Sequence, residues 1–172
     1  MTKALKFLAI IGSIASAAPV FAQQGLDPIS TRLLAAQNRE RALAGVQPLQ
    51  WDPALAAAAA SYGPALASLG GQLQHSARES RAGQRENLWV GTRGAFSPEQ
   101  MIATWADEKR YFRAGIFPAV STTGNWLDVS HYTTMIWRTT ARVGCAVYRT
   151  AAWDYLICRY SPPGNIDGQP VL

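Results

Sequence analysis

Cys145 and Cys158 are the only two cysteines in this 172-residue chain, and the segment between them has few ways to fold. Residues 143–148 and 153–160 are rich in Val, Tyr, Ile and Trp, the composition of two neighbouring strands. A hairpin turning over Ala151-Ala152 sets a register in which Cys145 faces Cys158 across the ladder. Closing so short a loop with a disulfide contributes about 3 kcal/mol by restricting the unfolded chain. The alternative is a pair of free buried thiols.

An oxidising compartment suits such a bond, and the N-terminus points to one. Lys3 and Lys6 precede an apolar run over residues 7–14, and Val20-Phe21-Ala22 has the small-residue pattern of a cleavage site. Residues 1–22 therefore read as a secretory signal peptide and residues 23–172 as a single domain, placed outside the cell or in a bacterial periplasm. The apolar run is shorter than the ~20 residues of a spanning helix, so no membrane span is expected. Losing both lysines lowers the net charge from +5 to about +3. The arginines are scattered from Arg32 to Arg159, which argues against a nucleic-acid-binding stripe. The chain is expected to act as a monomer.

Three helix starts are legible. Asp27-Pro28 and Asp52-Pro53 each place a capping carboxylate before a proline, and Ser97-Pro98-Glu99-Gln100 has the spacing of a capping box. The first helix should stop at Gly45. The second carries Leu55, Ala59, Tyr62, Leu66 and Leu69 at helical spacing, with Pro64 expected to kink or shorten it. Residues 70–97 read mostly as loop with a short strand near residues 88–90, and residues 114–128 as irregular. Early helices and a late hairpin imply an α+β domain with an antiparallel sheet.

In the third helix Met101, Trp105 and Phe112 mark an apolar stripe, and Glu108 falls on it. A carboxylate aimed at a core or cleft needs a partner. It either lines a cleft or sits at an edge, paired with Arg110 or Arg113. Imidazole chemistry is confined to His75 and His131, the latter behind Ser130 as a plausible helix cap. With Glu86 and Glu108 these rings could hold a divalent ion such as zinc or form an acid–base pair, although spacing alone does not establish it. The sequence contains no Gly-x-Ser-x-Gly elbow and no phosphate-binding glycine loop. Ser76 beside His75 is a sequence neighbour, which is rarely a working triad.

His131-Tyr132-Thr133-Thr134-Met135-Ile136-Trp137, Arg142-Val143-Gly144-Cys145-Ala146, and Cys158-Arg159-Tyr160 with Pro162-Pro163-Gly164-Asn165 resemble the two signature motifs of the CAP superfamily. That superfamily groups cysteine-rich secretory proteins, antigen 5 and pathogenesis-related class 1 proteins. Asn38-Arg39-Glu40-Arg41 and Gln47-Pro48-Leu49-Gln50-Trp51-Asp52 extend the resemblance over about residues 29–169. It implies a three-layer α-β-α sandwich around a mainly antiparallel sheet. It also implies a central cleft lined by His75, Glu86, Glu108 and His131, with His75 and His131 as the ligands of any metal.

Four positions depart from the family pattern: Gln37, Arg85, Ser130 and Thr134. Arg85, where the family has glycine, stands next to Glu86 and could pair with it. The resemblance implies a non-catalytic extracellular binding module, for sterols or lipids. The alternatives are a metal-dependent hydrolase or peptidase using the same cleft, with no catalytic residue identified, and a precursor whose tail, residues 162–172, is released as a peptide.

Overall fold

In this computed structural model the described residues are 25–172, so the expected signal peptide, residues 1–22, lies outside them. The three predicted caps start three helices. Asp27 accepts from the backbone of Ile29 and Ser30 to open α1 (Pro28–Leu43), and Asp52 accepts from Ala54 and Leu55 to open α2 (Pro53–Ala67). The Ser97–Gln100 capping box opens α3 (Pro98–Ala106). Helix α1 ends at its cap Ala44, and Gly45 follows at φ +72°, a conformation favouring glycine. Pro64 does not end α2, which runs on to Ala67.

The third helix is shorter than its apolar stripe suggests. After Ala106 the chain tightens into a 3-10 turn, Asp107–Tyr111, that carries Glu108. A short helix α4 (Ser130–Ile136) follows the irregular region.

The strands β1 (Gln50–Trp51), β2 (Arg85–Thr92), β3 (Arg142–Arg149) and β4 (Trp153–Ser161) form one sheet in the order β1-β3-β4-β2. Only β1, paired with β3, is parallel. Cys145 is the register partner of Cys158, as the hairpin predicts, and the two are joined by a disulfide with Cα atoms 4.1 Å apart. Strand β2 is longer than the short strand expected near residues 88–90, because its first residues are polar and find partners inside the protein.

The sheet is covered on both faces, which gives the three-layer α-β-α sandwich. Tyr155 and Ile157 of β4 and Leu88 of β2 meet Ala59 and Leu66 of α2. On the other face Leu156, Cys158 and Tyr160 join Leu33, Ile102, Trp105 and Trp137. Gln37, at a departure from the family pattern, accepts from the Tyr160 hydroxyl at 2.6 Å between α1 and this face. Among the described residues no helix is long and apolar enough to cross a membrane.

Helix α2 approaches the sheet closely at Gly144, where a Cβ would collide with the backbone at Asp52, Leu55 and Ala56. Neither backbone can yield easily, so Gly144→Ala should destabilise the protein by about 1–3 kcal/mol or more. Denaturant unfolding checks this. Gly115→Ala, which meets only an ordinary contact with the Ala119 carbonyl, should change the midpoint little.

Candidate functional site

The edge strand β2 brings its first residues to a cleft at the end of the sheet, and the two imidazoles reach that cleft from opposite layers. His75, from the loop after α2, and His131, at the start of α4, line one cavity of about 200 Å³ together with Glu86.

Glu86 lies beside Arg159 because the two are register partners across β2 and β4. Its side chain is fully buried, as is that of Arg159, and Arg159 Nε stands 2.9 Å from Glu86 Oε2. Arg85, the sequence neighbour, is not the partner. Glu86 Oε1 meets His75 Nδ1 at 2.8 Å and accepts from the Ser76 backbone at 3.0 Å, while Oε2 accepts from Ser76 Oγ at 3.1 Å. Burial pushes the Glu86 carboxyl up, but the His75 bond, the Arg159 charge and the Ser76 N–H outweigh it and hold it below the ordinary 4.5. Ser76 Oγ also accepts from Arg159 at 3.0 Å, so this buried hydroxyl bridges the carboxylate and the guanidinium and makes no hydrogen bond to an imidazole.

Glu108 pairs with neither Arg110 nor Arg113. Its Oε1 meets His131 Nδ1 at 2.6 Å, and its Oε2 accepts from the backbone of His131 and Tyr132 at 2.9 and 3.0 Å. The carboxylate therefore caps α4, a job that Ser130 does not perform. An anion there also suits the positive end of the helix. At the other end of α4 the buried Arg41 donates to the carbonyls of Met135, Trp137 and Thr140. Burial pulls its guanidinium down to about 10. Trp105 stacks parallel to the His131 ring at 5.9 Å, and Asn87 donates to the His131 carbonyl at 3.0 Å.

Each histidine thus gives Nδ1 to a carboxylate. A carboxylate only accepts, so in the neutral ring Nδ1 carries the proton and Nε2 keeps its lone pair. This is the outer arrangement of metal-binding imidazoles, in which a carboxylate fixes the tautomer. The donor set is small, however. All four oxygens of Glu86 and Glu108 are engaged internally, and among the described residues no group of three or more His, Cys, Asp or Glu side chains is placed to hold a metal.

The sequence-predicted residues form two pairs, His75 with Glu86 and His131 with Glu108; His75, Glu86 and His131 line the cavity, and Glu108 is not among its lining residues. From sequence alone Arg159 has no role in the cleft, and Ser76 is weighed only as a nucleophile. Arg159 had a usable signal, since a lone charge inside the apolar strand Tyr155-Leu156-Ile157-Cys158 must be paired.

The sequence model of the cysteine-rich secretory protein family matches residues 34–160. Pathogenesis-related protein 1B of Nicotiana tabacum is 36% identical over 79% of this chain and 76% of its own length. A pathogenesis-related protein of PR-1 type from Sambucus nigra is 34% identical over 78% and 76%. Among solved structures, that of NaASP2 with Zn2+ matches with a TM-score of 0.71 at 20% identity, over 87% of each chain.

Removing the charge of Glu86 tests the cluster. Glu86→Gln leaves Arg159 buried without a counter-charge and should cost about 3–5 kcal/mol at neutral pH. Because the folded carboxyl is held below 4.5, its stabilisation is whole above that pH and is lost as pH falls through the folded value. Denaturant midpoints should show a larger acid loss in the wild type than in Glu86→Gln, which keeps only the contribution of other carboxyls such as Asp27 and Glu99.

Proposed function

Because the chain belongs to the cysteine-rich secretory protein, or CAP, family, we propose that it is an exported, non-catalytic binding module. Its disulfide-fastened sandwich presents the His75, Glu86, Glu108 and His131 cleft to a small molecule outside the cytoplasm, with lipids as the ligand class. The observation that carries this proposal is the commitment of both carboxylates. A carboxylate acting as general base needs an oxygen within reach of the proton it abstracts, and these oxygens already hold histidines, backbone amides, a serine and an arginine. The metal-dependent hydrolase gains no support from such carboxylates.

A divalent ion such as zinc fits the donor set only through two imidazoles. His75 and His131 would hold it through Nε2, with Glu86 and Glu108 orienting the rings. Zinc sites usually draw three or four protein ligands, so two imidazoles make a weak and open site. When bound, the ion would supply Lewis acidity to water or to a ligand oxygen. The structure of NaASP2 with Zn2+ motivates testing for it.

Purification of the exported chain, followed by metal analysis and mass spectrometry of copurifying small molecules, tests the proposal. The chain should begin at Gln23 and retain lipid. His131→Ala should lower zinc retention, and no peptide library should be cleaved. Peptide turnover abolished by His131→Ala would overturn it in favour of the hydrolase.

A further inference from the structure

The cleft carries more positive charge than its histidine–carboxylate pairs require. Arg78 and Arg81, from the 3-10 turn Arg78–Arg81, and Arg85, the first residue of β2, line the same cavity as His131. Among the described residues none of the three has a carboxylate within 4.0 Å, while Arg159 is already balanced by Glu86. Burial first, and then the neighbouring guanidiniums of Arg81 and Arg78, lower the Arg85 pKa, with only Asp167 opposing them. Three mutually repelling cations around one cavity are unfavourable until an anion joins them.

The cavity continues into a second of about 520 Å³, which shares Arg78, Arg85, Trp126 and Asn165 with the first. Phe117, Trp126 and Ile166 give this groove an apolar wall. Asn165 is 7% exposed, and its buried Oδ1 has no donor. A hydroxyl beside the anionic group would supply one.

We propose that the cleft binds an amphiphilic anion, its phosphate or carboxylate held by Arg78, Arg81 and Arg85 and its apolar part laid along the groove beside Trp126. Arginine forks read both oxyanions in the same way, by paired charge-assisted hydrogen bonds. Three arginines against two carboxylates, the paired Glu86 and Asp167 in the groove, make the cleft a poorer host for a bare cation than for this ligand. The proposal rests on the cleft being the ligand site, and it narrows the lipid class to acids and phosphates as opposed to neutral sterols.

Calorimetric titration of the exported chain with octyl phosphate, octanol and inorganic phosphate tests it. Octyl phosphate should bind at least tenfold more tightly than octanol, and inorganic phosphate should compete with it. Arg78→Gln/Arg85→Gln should weaken octyl phosphate at least tenfold and leave octanol unchanged. Arg78→Gln alone, a change at an exposed side chain that makes no hydrogen bond among the described residues, should weaken it at least threefold and covers the case in which the double variant does not fold. Equal binding of octanol and octyl phosphate, or unchanged octyl phosphate binding by folded Arg78→Gln, would overturn the proposal. Retention of neutral lipid without this preference defeats the anion site and spares the binding-module function. Arginine-dependent octyl phosphate binding by a chain that copurifies with no lipid supports the anion site and counts against the native lipid ligand.

Discussion

Strand β4 is buried along nearly its whole length on both faces, and the other elements take their positions from it. One of its faces packs on α2 and the other on the layer of α1, α3 and α4. Its pairing with β3 fixes where the disulfide forms, and its pairing with β2 fixes where Glu86 stands. A one-residue slip would turn every one of these side chains to the wrong face. The buried Arg159 makes such a slip costlier still, since only the native register gives it Glu86.

The His131 half of the cleft depends on a helix too short to hold itself. Seven residues make less than the length at which isolated helices persist, so α4 borrows its stability from other elements. Glu108 supplies the acceptor at its first turn and Arg41 the donors at its last carbonyls, each charge matching the local end of the helix dipole. The carboxylate that orients the His131 ring is therefore the same group that stabilises the segment carrying it. Structure and site are coupled there through one side chain.

Local rules and hairpin symmetry were legible in the sequence. Each of the three helix starts rests on a cap that binds backbone amides two or three residues on, and the disulfide register follows from two strands and one turn. Glu108 was found by a periodicity that assumes a continuous helix, although the chain changes to a 3-10 turn before reaching it. The residue stays directed inward because the tighter turn displaces it by only a fraction of a turn. The start of β2 was hidden, since Arg85, Glu86 and Asn87 look solvated by composition and are partly or wholly buried, Glu86 and Asn87 by virtue of their partners. Those partners, Arg159 and the His131 carbonyl, lie far along the chain, and no local pattern announces them. The role of Ser130 was misjudged for the same reason, because the true cap comes from Glu108, outside the local sequence.

The central claim is that the carboxylates of the cleft serve to fix the two imidazoles, leaving Nε2 of each as the free nitrogen. Long-range proton–nitrogen correlation of the histidine rings, followed over a pH series, reads the tautomer of the neutral rings directly. His75 and His131 should both show the proton on Nδ1 and a bare Nε2. Protonated Nε2 in either ring would mean that its carboxylate does not hold it as described, and would contradict the account.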